Sequence, residues 1–314
     1  MLQQTRVEAA IPYYRRFLAA FPTVFDLANA QEEAVLKNWE GLGYYTRARN
    51  LHRAAKIVAG ELAGQFPRTA KGLRALPGIG AYTAGAIASI AFGEAETAID
   101  GNQIRVLTRL FAIEGETGKP GTAAEIRKAA RALLDPDRPG DFNQALMGMG
   151  ALVCLPKNPR CGSCPVRDCC GAKARGIEEI LPRLPEKAEK KIVPCAVAMV
   201  FVPGGVLLRQ RPMDGLLGGM WEFPVFENVH SAKELKAALA DMGIAVRSVK
   251  RSESAEHVFT HLVWRMRGYL VEGVPAGMPS GCRAAGSALL GRVPMSSAMR
   301  MYRDIVYREL ENRT

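Results

Sequence analysis

The sequence predicts a helical N-terminal half followed by a mixed α+β module, and three observations carry that expectation. Apolar residues recur at i, i+3, i+4 spacing as far as about residue 153. A cysteine-rich knot at 154–170 and the Pro- and Lys-rich stretch "ARGIEEILPRLPEKAEKKIVP" then interrupt the pattern, the latter reading as an exposed linker. After Pro194 the apolar period falls from 3.6 to 2.

The opening "MLQQTRVEAAIPYYRRFLAAF" already has helical spacing at Met1, with no Ser, Thr, Asp or Asn ahead of it as a cap. The helix is therefore expected to include Met1 and to read as if entered part-way. Further helices are predicted in "QEEAVLKNWEGLGYY", "RARNLHRAAKIVAGEL", "AYTAGAIASIAF" and "AAEIRKAARALL", with Pro, Gly and Asp between them as stops. "CAVAMVFVPGGVLLRQRP" reads as a hairpin about Pro203-Gly204-Gly205. An amphipathic helix at 231–243, a strand-like "HVFTHLVWRMRGYLV" and a terminal helix near 295–311 complete an α+β module.

With 314 residues and 48% hydrophobic content, two or three domains with true cores are expected. No apolar run is long enough to cross a bilayer, so no membrane partner and a cytoplasmic, monomeric protein are expected. Lys and Arg total 42 against 31 Asp and Glu, a formal charge of +11. A polyanionic partner follows naturally from that excess, although a merely basic, soluble surface has the same composition.

Two motifs sharpen the reading. In "LRALPGIGAYTAGAI" the segment Leu76 to Gly80 separates two helices. Its glycines allow a tight turn that leaves the N–H groups of Gly78, Gly80 and Ala81 free at a helix N-terminus for a phosphate oxygen. An ordinary interhelical turn would look similar. Twenty residues on, "AETAIDGNQIRVLTRLF" presents Asp100, with Asn102 as the expected cap of a helix beginning at Gln103. The Asp100 carboxylate could be a cap itself.

"CLPKNPRCGSCPVRDCC" places Cys154, Cys161, Cys164 and Cys170 within 17 residues. Four thiolates so close suit one metal centre. Disulfides suit a reduced compartment poorly, and zinc usually takes two close pairs where only Cys161 and Cys164 form one here. An iron–sulfur cluster is preferred, zinc remaining open. Cys169 is a further thiol beside Cys170; Cys195 and Cys282 read as apolar packing residues.

Together "MLQQTRVEAAIPYY", "GLGYYTRARNLH", "LPGIGAYTAGAI", "IDGNQIRV", the cysteine knot and "GLLGGMWEFP" resemble the MutY family of adenine DNA glycosylases over nearly the whole chain. The resemblance implies an all-α helix-hairpin-helix glycosylase core at 1–95, an iron–sulfur cluster domain at 96–172, a linker at 173–193 and a MutT/Nudix-like domain at 194–314. It implies excision of adenine opposite 8-oxoguanine or guanine in double-stranded DNA, with a [4Fe–4S] cluster on the four cysteines. Asp100 matches the carboxylate that stabilises positive charge on the sugar, and Asn102 a nearby pocket amide. Tyr82 stands where endonuclease III would have a lysine, so base removal without strand nicking is implied. Gln3, Gln4 and Tyr44 match residues pushed into the duplex at the lesion. Arg47 and Arg49 follow as phosphate contacts or solvated surface arginines.

Phe259, Thr260 and His261 occupy the place of the family's 8-oxoguanine-reading Phe-Ser-His loop, Thr260 replacing serine; as alternating strand residues all three could be structural. In "SAKELKAALADMGI", Ala237 and Ala240 stand where a MutT-type hydrolase would hold magnesium with glutamates, leaving Asp241, so the module is expected to read rather than cut. The family's general acid is a glutamate just before the methionine of its Met-Leu-Gln-Gln-Thr stretch, here Met1. Glu8, about 10 Å further along the helix, lies too far away to replace it. These 314 residues are therefore expected to bind the lesion with little excision, the alternatives being a native lesion-binding protein or a nucleotide hydrolase.

Overall fold

The computed structural model describes Met1, Thr5 and residues 7–186 and 189–313. They form two compact units, Met1–Lys56 with Ala188–Thr314, and Ile57–Lys187.

In the first unit, α1 (Val7–Ala20), α2 (Val24–Asn29), α3 (Glu32–Trp39) and the start of α4 (Thr46–Gly60) enclose Phe17, Phe21, Leu27, Val35, Leu36 and Trp39. Thr23 opens α2 by a reciprocal cap, its hydroxyl accepting from the Asp26 N–H while the Asp26 carboxylate accepts from the Thr23 N–H. The helix expected from Met1 is described only from Val7; Met1 is off the helix and packs against this helical core.

The rest of that unit is a mixed sheet of β1 (Lys191–Val202), β2 (Gly205–Gln210), β3 (Trp221–Glu222), β4 (Val225–Glu227), β5 (Ile244–Val258), β6 (Leu262–Pro275) and β7 (Cys282–Ala285). Its spine runs β3-β2-β1-β6-β5, with β1 and β6 parallel, β4 on β1 and β7 on β2. As the central strand, β1 is covered on both faces, which explains its unbroken apolar run. Period 2 sorts its side chains: Cys195, Val197, Met199 and Phe201 face one core, Ala196, Ala198 and Val200 the other. α11 (Ala232–Asp241) seals the alanine face through Leu235 and Leu239. α12 (Ser287–Arg292) and α13 (Arg300–Glu311) seal the opposite face through Leu290, Tyr302 and Val306.

The segment that reads as one strand at 257–271 is instead the junction of β5 and β6. Phe259 to His261 turn the chain, closed by the Phe259 N–H to the Leu262 carbonyl at 2.8 Å. Alternation continues through both strands and hides the turn, since no Gly or Pro marks it.

The second unit contains the rest of α4, then α5 (Ala70–Leu73), α6 (Ala81–Phe92), α7 (Gly101–Leu110), α8 (Pro120–Leu133), α9 (Pro139–Leu152) and α10 (Gly171–Arg175). α7 and α9 pack closely because a Cβ on Gly150 would come within 2.7 Å of the Asn102 Cβ. The loop between α6 and α7 hangs on Asn143 of α9, which is fully buried. Its amide donates to Ser89 Oγ and the Glu96 carbonyl, both at 2.9 Å, and its Oδ1 accepts from the Ala98 N–H at 3.0 Å. Gln103, equally buried, donates to the Asn143 carbonyl at 3.2 Å.

Asn143→Ala strands these donors and acceptors without water and is expected to cost about 3 kcal/mol of unfolding free energy. Denaturant unfolding of the variant against the wild type checks the loss.

Candidate active site

Asp100 ends the α6–α7 loop in extended backbone and caps α7 itself, its Oδ1 accepting from the Gln103 N–H at 2.7 Å. The expected roles are thus exchanged: helix α7 starts at Gly101, and Asn102 lies within its first turn rather than capping it. Asn102 instead donates from Nδ2 to Asp100 Oδ2 at 3.0 Å. Both carboxylate oxygens are therefore engaged by hydrogen-bond donors.

Asn102 is held in turn. Its Oδ1 accepts from Arg105 Nη2 at 2.9 Å, while Arg105 also donates to the Gly150 carbonyl at 2.6 Å and, through Nε, to the Cys154 carbonyl at 2.7 Å. A hydrogen-bonded chain thus runs from Asp100 through Asn102 and Arg105 to the backbone of the first knot cysteine. Sequence reasoning missed Arg105, although its position five residues after Asp100 put it on the first turns of the same helix.

Tyr82, in the first turn of α6, lies close enough to Asp100 to feel its charge. Burial first, and that carboxylate second, push the phenol pKa upward, so Tyr82 stays neutral. An open cleft of about 800 Å³ beside Tyr82 is lined also by Ile99, Lys71, Arg74, Arg127 and Arg131. The turn before α6 keeps Gly78 at φ +77°, a conformation that favours glycine. Gly78, Gly80 and Ala81 are exposed there, with Gly80 the N-cap of α6.

Cys154, Cys161, Cys164 and Cys170 line one small cavity of about 30 Å³, together with Arg109, Lys173 and Glu178. Among the described residues no three His, Cys, Asp or Glu side chains converge closely enough to hold a single ion. Four thiols lining one cavity are a donor set that suits a metal centre. Arg109, buried, donates to Cys154 Sγ at 3.3 Å and to the carbonyls of Leu155, Pro156 and Leu181. Cys169 is exposed and lies outside that lining.

In the first unit Tyr44 and the β5–β6 turn meet. Gly41 and Gly43 at φ +101° and +69° flank the bend, and Tyr44 itself takes φ +47°. Its ring is about half exposed, and its hydroxyl lies 3.3 Å from Thr260 Oγ1. Phe259 is wedged edge-on against Trp264 and His257, leaving Thr260 and His261 exposed at the tip. Arg47 packs under the Tyr44 and Trp39 rings, and Arg49 donates to the Met213 carbonyl at 2.5 Å. Both arginines are occupied inside the unit rather than solvated. Gln3 and Gln4 lie outside the described residues. Ala237, Ala240 and Asp241 sit on the exposed side of α11.

Comparison with known proteins places the chain in a family. The HhH-GPD superfamily base excision DNA repair protein model matches residues 1–136, and the NUDIX domain model residues 196–304. The adenine DNA glycosylase of Rattus norvegicus is 36% identical over 99% of this chain and 67% of its own length. That of Buchnera aphidicola subsp. Acyrthosiphon pisum is 30% identical over 86% of this chain and 77% of its own. The chain belongs to the adenine DNA glycosylase family. The human adenine DNA glycosylase is 37% identical over 87% of this chain, and this chain spans 60% of that relative's length. A thermostable thymine-DNA glycosylase structure superposes with TM-score 0.50 at 26% identity, over 55% of this chain and 80% of that one. Among the described residues no helix is long and apolar enough to cross a membrane.

Arg105→Met leaves two buried-side carbonyls and the Asn102 oxygen without a charged donor, an expected loss of about 3 kcal/mol. Urea unfolding of the purified variant, with cysteine-site metal content measured alongside, checks it.

Proposed function

We propose that this protein is a base-excision repair enzyme that removes adenine mispaired with 8-oxoguanine or guanine from double-stranded DNA. The observation that carries the proposal is Asp100, fixed by Gln103 and Asn102 beside a neutral Tyr82, in a chain of the adenine DNA glycosylase family. The target base is out of reach within the stack, so it is flipped out of the duplex. Adenine leaves poorly as an anion; protonation of its N7 lets it depart, and positive charge develops on the sugar. Asp100, held in place by the Gln103 N–H and the Asn102 amide, stabilises that cation, and Asn102 fixes its orientation. Tyr82 offers a phenol and no amine, so no Schiff base forms on the sugar and the product is an abasic site.

The exposed turn at Gly78, Gly80 and Ala81 supports a grip on a backbone phosphate that reads no sequence. Tyr44 with Phe259, Thr260 and His261 supports recognition of the oxidised base on the opposite strand, Thr260 supplying the hydroxyl. Gln3 and Gln4 are assigned to the same strand-opening step from the family resemblance. Cys154, Cys161, Cys164 and Cys170 would hold a [4Fe–4S] cluster, which supplies a covalent staple across the 154–170 loop when bound.

Single-turnover assay on an adenine–8-oxoguanine duplex tests the reading. Asp100→Asn is expected to slow adenine release by about 10²–10³-fold. Equal rates with asparagine at 100 would end the assignment of Asp100. Separately, Cys164→Ser is expected to lower iron and acid-labile sulfide content and visible absorption; unchanged iron would remove Cys164 from the ligand set.

A further inference from the structure

Tyr44 and Thr260 meet through one hydroxyl contact of 3.3 Å at the surface, too weak and too solvated to fix a β-hairpin tip. Something else must set the distance between the Tyr44 bend and the tip. The first unit offers one dense node for that purpose, at the end of α3.

Glu40 is the C-cap residue of α3, and its carboxylate is spent on groups from the far end of the chain. Oε1 accepts from Arg303 Nη1 of α13 at 2.8 Å. Oε2 accepts from Lys37 Nζ at 2.7 Å and lies 3.4 Å from the Met295 N–H. Lys37 itself reaches the Val293 carbonyl at 3.2 Å. The Glu40 side chain is only 18% exposed and that of Arg303 22%, so this pair is far better shielded than an ordinary surface bridge. At the other end of α3, Glu33 pairs with Arg283 at 2.5 Å, and the Arg283 guanidinium lies 3.7 Å from the Trp221 ring centroid. Met220, beside Trp221, is buried in the helical core with Val35, Leu36 and Trp39.

Helix α3 is thus tied at both ends to the sheet module, and Glu40 is the tie nearest to Tyr44. Only Gly41, Leu42 and Gly43 separate the two, in a bend whose two glycines take positive φ. We propose that Glu40 is a positioning residue for lesion recognition: it latches the sheet module so that the Phe259–His261 tip stays in register with Tyr44. Glu40 touches no DNA in this role; it acts through the tip. The inference rests on the proposed recognition of 8-oxoguanine by that tip.

The test uses the whole chain and two duplexes, one with adenine opposite 8-oxoguanine and one with adenine opposite guanine, with affinities measured by fluorescence anisotropy at one salt concentration. Glu40→Ala is expected to cut the preference for 8-oxoguanine about tenfold, as a coupling between two sites would, while affinity for the adenine–guanine duplex stays within about twofold. Arg303→Met should lower the preference in the same direction, and the double variant should lose no more than Glu40→Ala alone. Should Glu40→Ala fail to fold by circular dichroism, Arg303→Met carries the test. An unchanged preference in a folded variant, or equal loss on both duplexes, overturns the latch. A wild-type chain with no preference overturns the recognition reading itself, and the latch with it.

Discussion

The Arg105 guanidinium is the constraint on which the geometry around Asp100 depends. It joins Asn102, the Gly150 carbonyl and the Cys154 carbonyl at once, so the pocket amide, helix α9 and the entrance to the cysteine loop share one donor group. Asp100 shares that junction, because the Asn102 amide that donates to Oδ2 has its own oxygen held by Arg105. The helix cap adds a second restraint on the same carboxylate. In the proposed reaction, a carboxylate kept in place by a backbone N–H and a side-chain amide needs little reorganisation when positive charge forms nearby.

Close approach of helices makes this possible. Gly150 brings α9 against Asn102, and the buried amides of Asn143 and Gln103 turn what would be a costly polar interior into a paired one. Arg109 does the same beneath the cysteines, satisfying three carbonyls and a thiol with one side chain. Every turn of α7 thereby spends a polar residue on fixing the loops around it.

The first unit solves a different problem, that of joining helices to a sheet whose sequence lies some 250 residues away. It uses charged pairs at both ends of α3 with a buried methionine between them. Ionic contacts alone hold weakly at a surface, but shielding by the surrounding side chains and the apolar plug of Met220 make the junction specific. Tyr44, pinned by its glycine-flanked bend, is then carried on the helical side and Thr260 on the sheet side.

The helix α6, the hairpin at Gly204 and α11 were legible within a residue or two because each is set by local periodicity and turn residues. The β5–β6 turn was hidden, because its residues keep the alternation of the strands around them. Asp100 and the four cysteines could be singled out from residue type and spacing, and Tyr82 from the family resemblance. Their bonding could not: whether Asn102 caps or donates depends on where the helix begins, and that is decided by the Asp100 carboxylate. Arg47 and Arg49 looked like surface cations and proved to be packing and bridging groups.

By itself, the sequence determined the helical and sheet halves, the basic charge, the knot of thiols and the family to which the chain belongs. Those are properties of composition, period and local order, and no distant residue can alter them. Tertiary structure alone decided that Arg105 ties the Asp100–Asn102 pair to the cysteine loop and that Glu40 meets Arg303. Such pairs join positions from 45 to 263 residues apart, and no local pattern encodes a partner that only the folded topology brings near.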